Sequence, residues 1–231
     1  MKICGWNKTT LLDYPGKVAA TLFLGGCNLR CPFCQNGGLV LQSDSQPEVS
    51  IEEIRAFLRK RRNILDGICV TGGEPTLSQE LPQLLGEIKE LGYLVKLDTN
   101  GTRPGVIEKL LRDELVDFVA MDIKSSVEGY ERVSGIRNMN LEEIQESVEL
   151  IRSKAPDYEF RTTVVRELHC RQDFESIGKW LAGIKAYYLQ AYKDADEVIQ
   201  PGFSSYGREE LEEFCDILRV TIPLVDIRGM D

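Results

Sequence analysis

Three cysteines share one short loop, Gly25-Gly26-Cys27-Asn28-Leu29-Arg30-Cys31-Pro32-Phe33-Cys34-Gln35-Asn36, at the spacing Cys-x3-Cys-x2-Cys. Thiolates are soft ligands that suit zinc and iron–sulfur clusters. A structural zinc site closes its tetrahedron with a fourth ligand, usually from a second Cys-x2-Cys hook or from histidines. Here the one histidine, His169, stands far downstream beside Cys170. A four-iron cubane is closed by four thiolates, so three leave one iron open to a ligand from outside the chain. An open metal position belongs to a centre that binds and reacts. Pro32 stiffens the loop by fixing φ and removing a donor. Phe33 offers an apolar face that could shield a cluster or meet an adenine ring.

Three further motifs could take part. Gly72-Gly73-Glu74-Pro75 lacks Cβ atoms at its first two positions, which lets backbone carbonyls approach a ligand closely, although an ordinary strand-to-helix turn looks the same. Asp98-Thr99-Asn100-Gly101 and Met121-Asp122-Ile123-Lys124 each close an apolar run. Carboxylates at the ends of neighbouring strands repel unless a cation or a basic side chain lies between them, and Lys124 is the nearest candidate. For Asp98 the plain alternative is a helix cap.

Alternating strand and helix patterns position these motifs, as in βα units around a parallel sheet. The expected strands are 17–24, 67–71, 93–98, 118–123, 158–165 and 186–190. The expected helices are 50–62, with Ser50 as cap and Glu53 at the capping-box position, then 78–91, 106–112, 140–153 and 173–181. Every polar motif then follows a strand, at the edge where parallel barrels keep their catalytic groups. Periodicity alone does not separate a full barrel from an open six-stranded one. Residues 202–231, with a helix near 208–218 and a strand near 220–227, read as an addition without assigned chemistry.

The chain has 231 residues, which suits one domain: a leading segment 1–16, a core 17–201 and the extension 202–231. Lys and Arg number 28 against 37 Asp and Glu, a net charge of −9, and the basic residues are scattered, so nucleic acid is not an expected partner. No run reaches the length of a membrane span, and the start of the chain is polar, so a cytoplasmic protein is expected. Seven cysteines are an odd count for a disulfide framework. Cys4, Cys69, Cys170 and Cys215 read as packed thiols.

The cysteine spacing resembles that of the radical S-adenosylmethionine enzymes. The resemblance implies an α/β fold with a partial (β/α)6 TIM-like barrel, and a 4Fe-4S cluster on Cys27, Cys31 and Cys34 whose fourth iron is chelated by the amino and carboxylate groups of S-adenosylmethionine. It implies that Gly72, Gly73 and Glu74 meet that amino group, that Lys124 meets the carboxylate, and that Phe33, Asp98, Asp122, Arg166 and Gln190 line the cofactor. Asp98, Thr99, Met121 and Asp122 match positions that hold a monovalent cation in activases of glycyl-radical enzymes.

The stretch Lys8-Thr9-Thr10-Leu11-Leu12-Asp13-Tyr14-Pro15-Gly16-Lys17 together with the cysteine loop resembles the activating proteins of anaerobic ribonucleotide reductase. Asp13 stands where other activases hold the target's glycine loop, while Tyr14-Pro15-Gly16 is also a good turn. The implied activity is reductive cleavage of S-adenosylmethionine, with an electron from flavodoxin or ferredoxin, and removal of a hydrogen atom from a glycine of the partner. Three departures stand out. Gln35 replaces a frequent histidine, Gln190 or Tyr192 must stand in for a cofactor-contacting histidine, and His169 falls one element early and reads as a loop or packing residue. Arg166 reads equally well as a cofactor contact or as a surface ion pair. The rivals are a small-molecule enzyme of the same superfamily, such as a 7-carboxy-7-deazaguanine synthase, and a non-catalytic iron–sulfur or zinc carrier.

Overall fold

A computed structural model describes residues 1–230; Asp231, the last residue of the expected extension, lies outside the described residues. The strands are β1 Ile3–Thr10, β2 Ala19–Leu24, β3 Gly67–Gly72, β4 Leu94–Thr99, β5 Phe118–Asp122, β6 Tyr158–Val164, β7 Ala186–Ala191 and β8 Leu224–Arg228. They form one sheet in chain order, and β1 and β8 are its edges, so the sheet is open. The helices are α1 Gly37–Leu41, α2 Ile51–Arg61, α3 Leu81–Glu90, α4 Pro104–Arg112, α5 Tyr130–Ser134, α6 Leu141–Lys154, α7 Arg171–Trp180 and α8 Arg208–Arg219. No helix among the described residues is long and apolar enough to cross a membrane.

The six expected strands are β2 to β7. Two more strands join them: β1, which was not expected, and β8, the strand expected near 220–227. The leading segment contains β1, which pairs antiparallel with β2 through two register shifts. The extension supplies β8, which pairs parallel with β7, and α8 buries Leu211, Phe214, Cys215 and Leu218. Both ends of the chain therefore extend the sheet itself. Ser50 caps α2 as expected, its hydroxyl accepting from the Glu53 N–H at 3.1 Å, a bond worth about 1 kcal/mol.

The chain groups into two compact units. The first comprises Met1–Asn28, Gly38–Ala120 and Glu143–Asp157, and the second comprises Leu29–Gly37, Met121–Glu142 and everything from Tyr158 onward. In the first unit the parallel register sorts side chains by face. Ala20, Ile68 and Val95 form one row and Leu22, Val70 and Leu97 another, all of them buried, while the row between is Thr21, Cys69 and Lys96. Because successive strand residues point to opposite faces, one face is aliphatic and the other carries polar groups.

The turn before β2 borders that polar face. Tyr14 to Lys17 is a tight turn with Pro15 at its second position and Gly16 at φ +69°. Tyr14 is buried with Ala19, Phe118 and Ala120. In the second unit, the core of α7 and α8 is made by Phe174 stacked on Phe214 at 4.4 Å between ring centres.

Candidate active site

In the first unit, β2 runs out into Gly25-Gly26-Cys27, β3 into Gly72-Gly73-Glu74 and β4 into Thr99-Asn100. The two glycine turns lock together: the Gly73 N–H donates to the Leu24 carbonyl and the Glu74 N–H to the Gly26 carbonyl, each at 2.8 Å. A Cβ on Gly73 would lie 1.9 Å from the Gly26 oxygen, and Gly72 has φ +117°, so neither position tolerates a side chain. The missing Cβ atoms thus first serve close packing of backbone on backbone.

Glu74 is the hub of these turns. It is buried, and its Oε1 accepts from the Thr76 N–H at 3.0 Å, the Thr76 hydroxyl at 2.5 Å and the Thr99 hydroxyl at 2.9 Å. Its Oε2 accepts from the Asn100 N–H at 2.6 Å. Burial pushes its carboxyl pKa up, against the opposing pull of these hydrogen bonds. Oε2 has one lone-pair direction left for a ligand, whereas Oε1 is saturated.

Asn100 clamps the cysteine loop. Its Nδ2 donates to Asn28 Oδ1 at 3.0 Å and lies 3.8 Å from Cys27 Sγ, while its Oδ1 accepts from the Thr102 N–H and hydroxyl at 3.0 and 2.7 Å. Asn28 returns a bond to the Thr102 hydroxyl at 2.8 Å. Asn28 and Thr102 were not among the expected site residues, although an amide beside Cys27 was visible in the motif.

Asp98 pairs with Lys96, two residues earlier on the same face, and Lys96 Nζ lies 3.8 Å from Cys69 Sγ. Lys124 was expected to balance this carboxylate together with Asp122; Asp98 instead has its own lysine. Asp13 accepts from the Thr21 hydroxyl at 2.5 Å, so it joins the polar face from the amino ends of the strands.

In the second unit, Cys31 is buried, Cys34 is half-buried, and the turn between them closes through Cys34 N–H to Cys31 carbonyl at 3.0 Å. Chain segments after β7 hold this turn: the Ile199 N–H donates to the Cys34 carbonyl at 3.2 Å and the Gln200 N–H to the Pro32 carbonyl at 2.8 Å. Gln35 donates to the Lys193 carbonyl. Asp122 accepts from Lys124 Nζ at 3.0 Å and from Arg161 Nε at 2.6 Å. Although burial opposes ionisation, Arg161 and Lys124 hold the Asp122 carboxyl well below the usual range. Asp122, and after it Cys31, keep Lys124 protonated against the pull of its own burial. Arg161 is a third residue absent from the expected site.

His169 is a packing residue, as expected, and also a brace. Its Nδ1 accepts from the Val165 N–H at 3.0 Å, which leaves the proton on Nε2 to donate to the Lys124 carbonyl at 2.8 Å. Its ring meets Phe33 edge-on at 6.5 Å, so Phe33 supports the loop from within. Burial pushes the His169 pKa down and keeps it neutral.

The remaining expected residues are less engaged. Arg166 forms a two-pronged ion pair with Glu210 at 2.8 and 2.5 Å on the surface, the second of its two expected readings. Gln190 is half-buried and accepts from the Thr163 hydroxyl at 3.4 Å. Tyr192 is buried, which with Asp194 beside it pushes its phenol up to about 12. Met121 is buried within β5. Cys4, Cys69 and Cys215 are buried thiols as expected, but Cys170 is exposed at the start of α7, where its thiol lies 3.3 Å from Asp173.

The donor chemistry suits an iron–sulfur cluster. An amide N–H approaches Cys27 and a protonated lysine stands in the field of Cys31, and both favour thiolate sulfur. Among the described residues no three His, Cys, Asp or Glu side chains converge as one metal ion would require; a cubane instead takes one thiolate at each of three irons.

Residues 21–180 match the family model described as the Radical SAM superfamily. A protein of Methanocaldococcus jannaschii, named by inference a glycyl-radical enzyme activating enzyme, is 34% identical over 99% of this chain and 96% of its own length. The pyruvate formate-lyase-activating enzyme of Clostridium pasteurianum is 31% identical over 61% of this chain and 60% of its length. The 7-carboxy-7-deazaguanine synthase of Aquifex aeolicus is 38% identical, but over 34% of each chain. Among solved structures, Streptococcus suis SuiB bound to S-adenosylmethionine superposes with a TM-score of 0.66 at 14% identity, covering 90% of this chain and 52% of that one.

Proposed function

From the membership of this chain in the radical S-adenosylmethionine superfamily, we propose that it is an activase that removes a hydrogen atom from a glycine of a glycyl-radical enzyme. The observation that carries this reading is the end-to-end extent of its match to a protein named as such an activating enzyme. The matches to 7-carboxy-7-deazaguanine synthases, the small-molecule rival, are partial, covering from 34% to 52% of the chain. A non-catalytic carrier would have no use for a buried glutamate that ties together the turns after β3 and β4.

When bound, the 4Fe-4S cluster and S-adenosylmethionine supply one-electron cleavage of a carbon–sulfur bond and a carbon radical able to take a hydrogen atom. The protein's own residues do the rest. Cys27, Cys31 and Cys34 would hold the cluster as three thiolates. Lys124, kept protonated by Asp122 and braced through its carbonyl by His169, offers an ammonium to the cofactor carboxylate. Glu74 keeps Oε2 for the cofactor amino group, while its other bonds fix the turns after β3 and β4. Gln190 or Tyr192 stands in for the missing histidine, and Arg166 stays structural through Glu210.

Asp13, half-buried just before β2, is the polar group that meets an extended peptide on its path to the cofactor. A glycine loop suits such a path because it lacks the side chain that would keep a radical at a distance. The finer reading is anaerobic ribonucleotide reductase as partner, flavodoxin or ferredoxin as electron donor, a cytoplasmic location and a single functional domain, supported by residues 8–17 and by the need to keep an open cluster reduced.

The test is low-temperature EPR on reconstituted, reduced protein with S-adenosylmethionine and the host's anaerobic ribonucleotide reductase, beside a Cys31→Ala sample. A glycyl doublet that requires Cys31 is the expected result. Formation of 5'-deoxyadenosine without a doublet would overturn the partner, and neither product from a full cluster would overturn the enzyme reading.

A further inference from the structure

Lys96 lies in the middle of β4 between Val95 and Leu97 of the aliphatic face, and it is 1% exposed. Lysine is almost never fully buried unless paired. Its partner is Asp98, on the same face of the pleated strand, and its ammonium also sits 5.9 Å from the centre of the Phe118 ring. Next to Asp98, Thr99 has already committed its hydroxyl, donating to Glu74 at 2.9 Å and accepting from the Gly101 N–H at 3.1 Å. In the second unit, Asp122 is met by an ammonium at 3.0 Å and a guanidinium at 2.6 Å. A monovalent cation at either carboxylate would stand against a like charge within a few ångströms, in surroundings that screen it poorly. The residues expected to hold a cation therefore do not fit one.

We infer that this chain builds the counter-charge into its own strands: Lys96 serves Asp98, and Lys124 with Arg161 serves Asp122, so no monovalent cation is taken up. Lys96 is then a positioning residue that fixes the Asp98 carboxylate and, through the strand, the Thr99–Glu74 bond. The purpose of Asp98 rests on the proposed activase reading; the charge balance does not.

The test is thermal melting of the full chain, with and without reconstituted cluster, in potassium, sodium or choline chloride at equal ionic strength. Wild type is expected to melt at one temperature in all three salts. A site filled at about a hundredfold its Kd would raise the melting temperature by roughly 5–10 °C, so a shift of that size in potassium or sodium over choline overturns the inference.

Lys96→Met, which takes the Lys96 ammonium away from Asp98, is expected to gain stability from potassium or sodium, and Lys96→Arg is expected to restore indifference. A Lys96→Met protein as indifferent as wild type overturns the substitution of lysine for cation. Should Lys96→Met not fold, the double variant Lys96→Met/Asp98→Asn is expected to fold and be indifferent to the salts; its failure to fold would count against the pair as mutual counter-charges. Binding of S-adenosylmethionine to the reconstituted wild type is expected to be equal in the three salts. Absence of binding in every salt would instead sink the activase reading, leaving the melting result to judge the charge balance.

Discussion

Glu74→Ala is the sharpest perturbation of the turns after β3 and β4. It would strip the acceptor from two buried backbone N–H groups, those of Thr76 and Asn100, and from the hydroxyls of Thr76 and Thr99. The hydroxyls can rotate to other acceptors; the N–H groups cannot. At about 1–3 kcal/mol for each buried group left unsatisfied, the two N–H groups alone cost on the order of 4 kcal/mol. For a chain of this size that lowers the melting temperature by roughly 10 °C. Glu74→Gln retains an oxygen for Thr76 and Thr99 but sets an amide N–H against the Asn100 N–H, so it should lose roughly half as much.

The pH dependence has a definite sign. Because burial raises the folded pKa of Glu74 above its unfolded value, the folded state holds the proton more tightly. The stability this provides is complete below the unfolded carboxyl value and is lost as pH rises through the folded one. The gap in melting temperature between wild type and Glu74→Gln should therefore narrow as pH rises through that window. Calorimetric melts of the three proteins across the acid range measure both effects. A Glu74→Ala protein that melts with wild type refutes the hub role, and a gap that widens with pH refutes the burial argument.

Asp122→Asn leaves Lys124 and Arg161 together without their carboxylate and should cost about 2–3 kcal/mol, less than a fully buried pair because the Asp122 side chain is 29% exposed. Since the folded pKa of Asp122 is depressed, its stabilisation is present above the unfolded carboxyl value and lost as pH falls through the folded one. Acid unfolding followed by circular dichroism should thus take up one proton fewer in the variant, and equal uptake would refute the pairing. Asn100→Ala removes the amide N–H beside Cys27 and should move the cluster's reduction potential to more negative values at unchanged iron content. An EPR-monitored redox titration checks it, and an unmoved potential would show that the amide holds only the loop. His169→Phe keeps the ring contacts to Phe33 and Phe174 but orphans the Val165 N–H and should cost about 1–3 kcal/mol in a denaturant melt.

Residues held together by the chain itself were legible in the sequence. The cysteine loop, Gly72-Gly73-Glu74 and the aspartates at the ends of β4 and β5 are contiguous motifs after apolar runs, and the strands that carry them are buried on their aliphatic face, so hydrophobic runs located them. β1 was not legible because much of Ile3–Thr10 is exposed and its register with β2 slips twice, which leaves no clean alternation. The groups that balance the charges were hidden for a different reason. Arg161 reaches Asp122 from the next strand in the sheet, a neighbour that only the strand order reveals. Lys96 interrupts the apolar run Leu94-Val95-Lys96-Leu97 and is the period-two partner of Asp98. The period of a strand places residues i and i+2 side by side on one face, which pairs Lys96 with Asp98 within β4, while Lys124 reaches back to Asp122 from two residues past the end of β5. A carboxylate at the end of a buried strand needs a nearby positive charge, and two residues along the same strand is the shortest distance at which the chain can supply one.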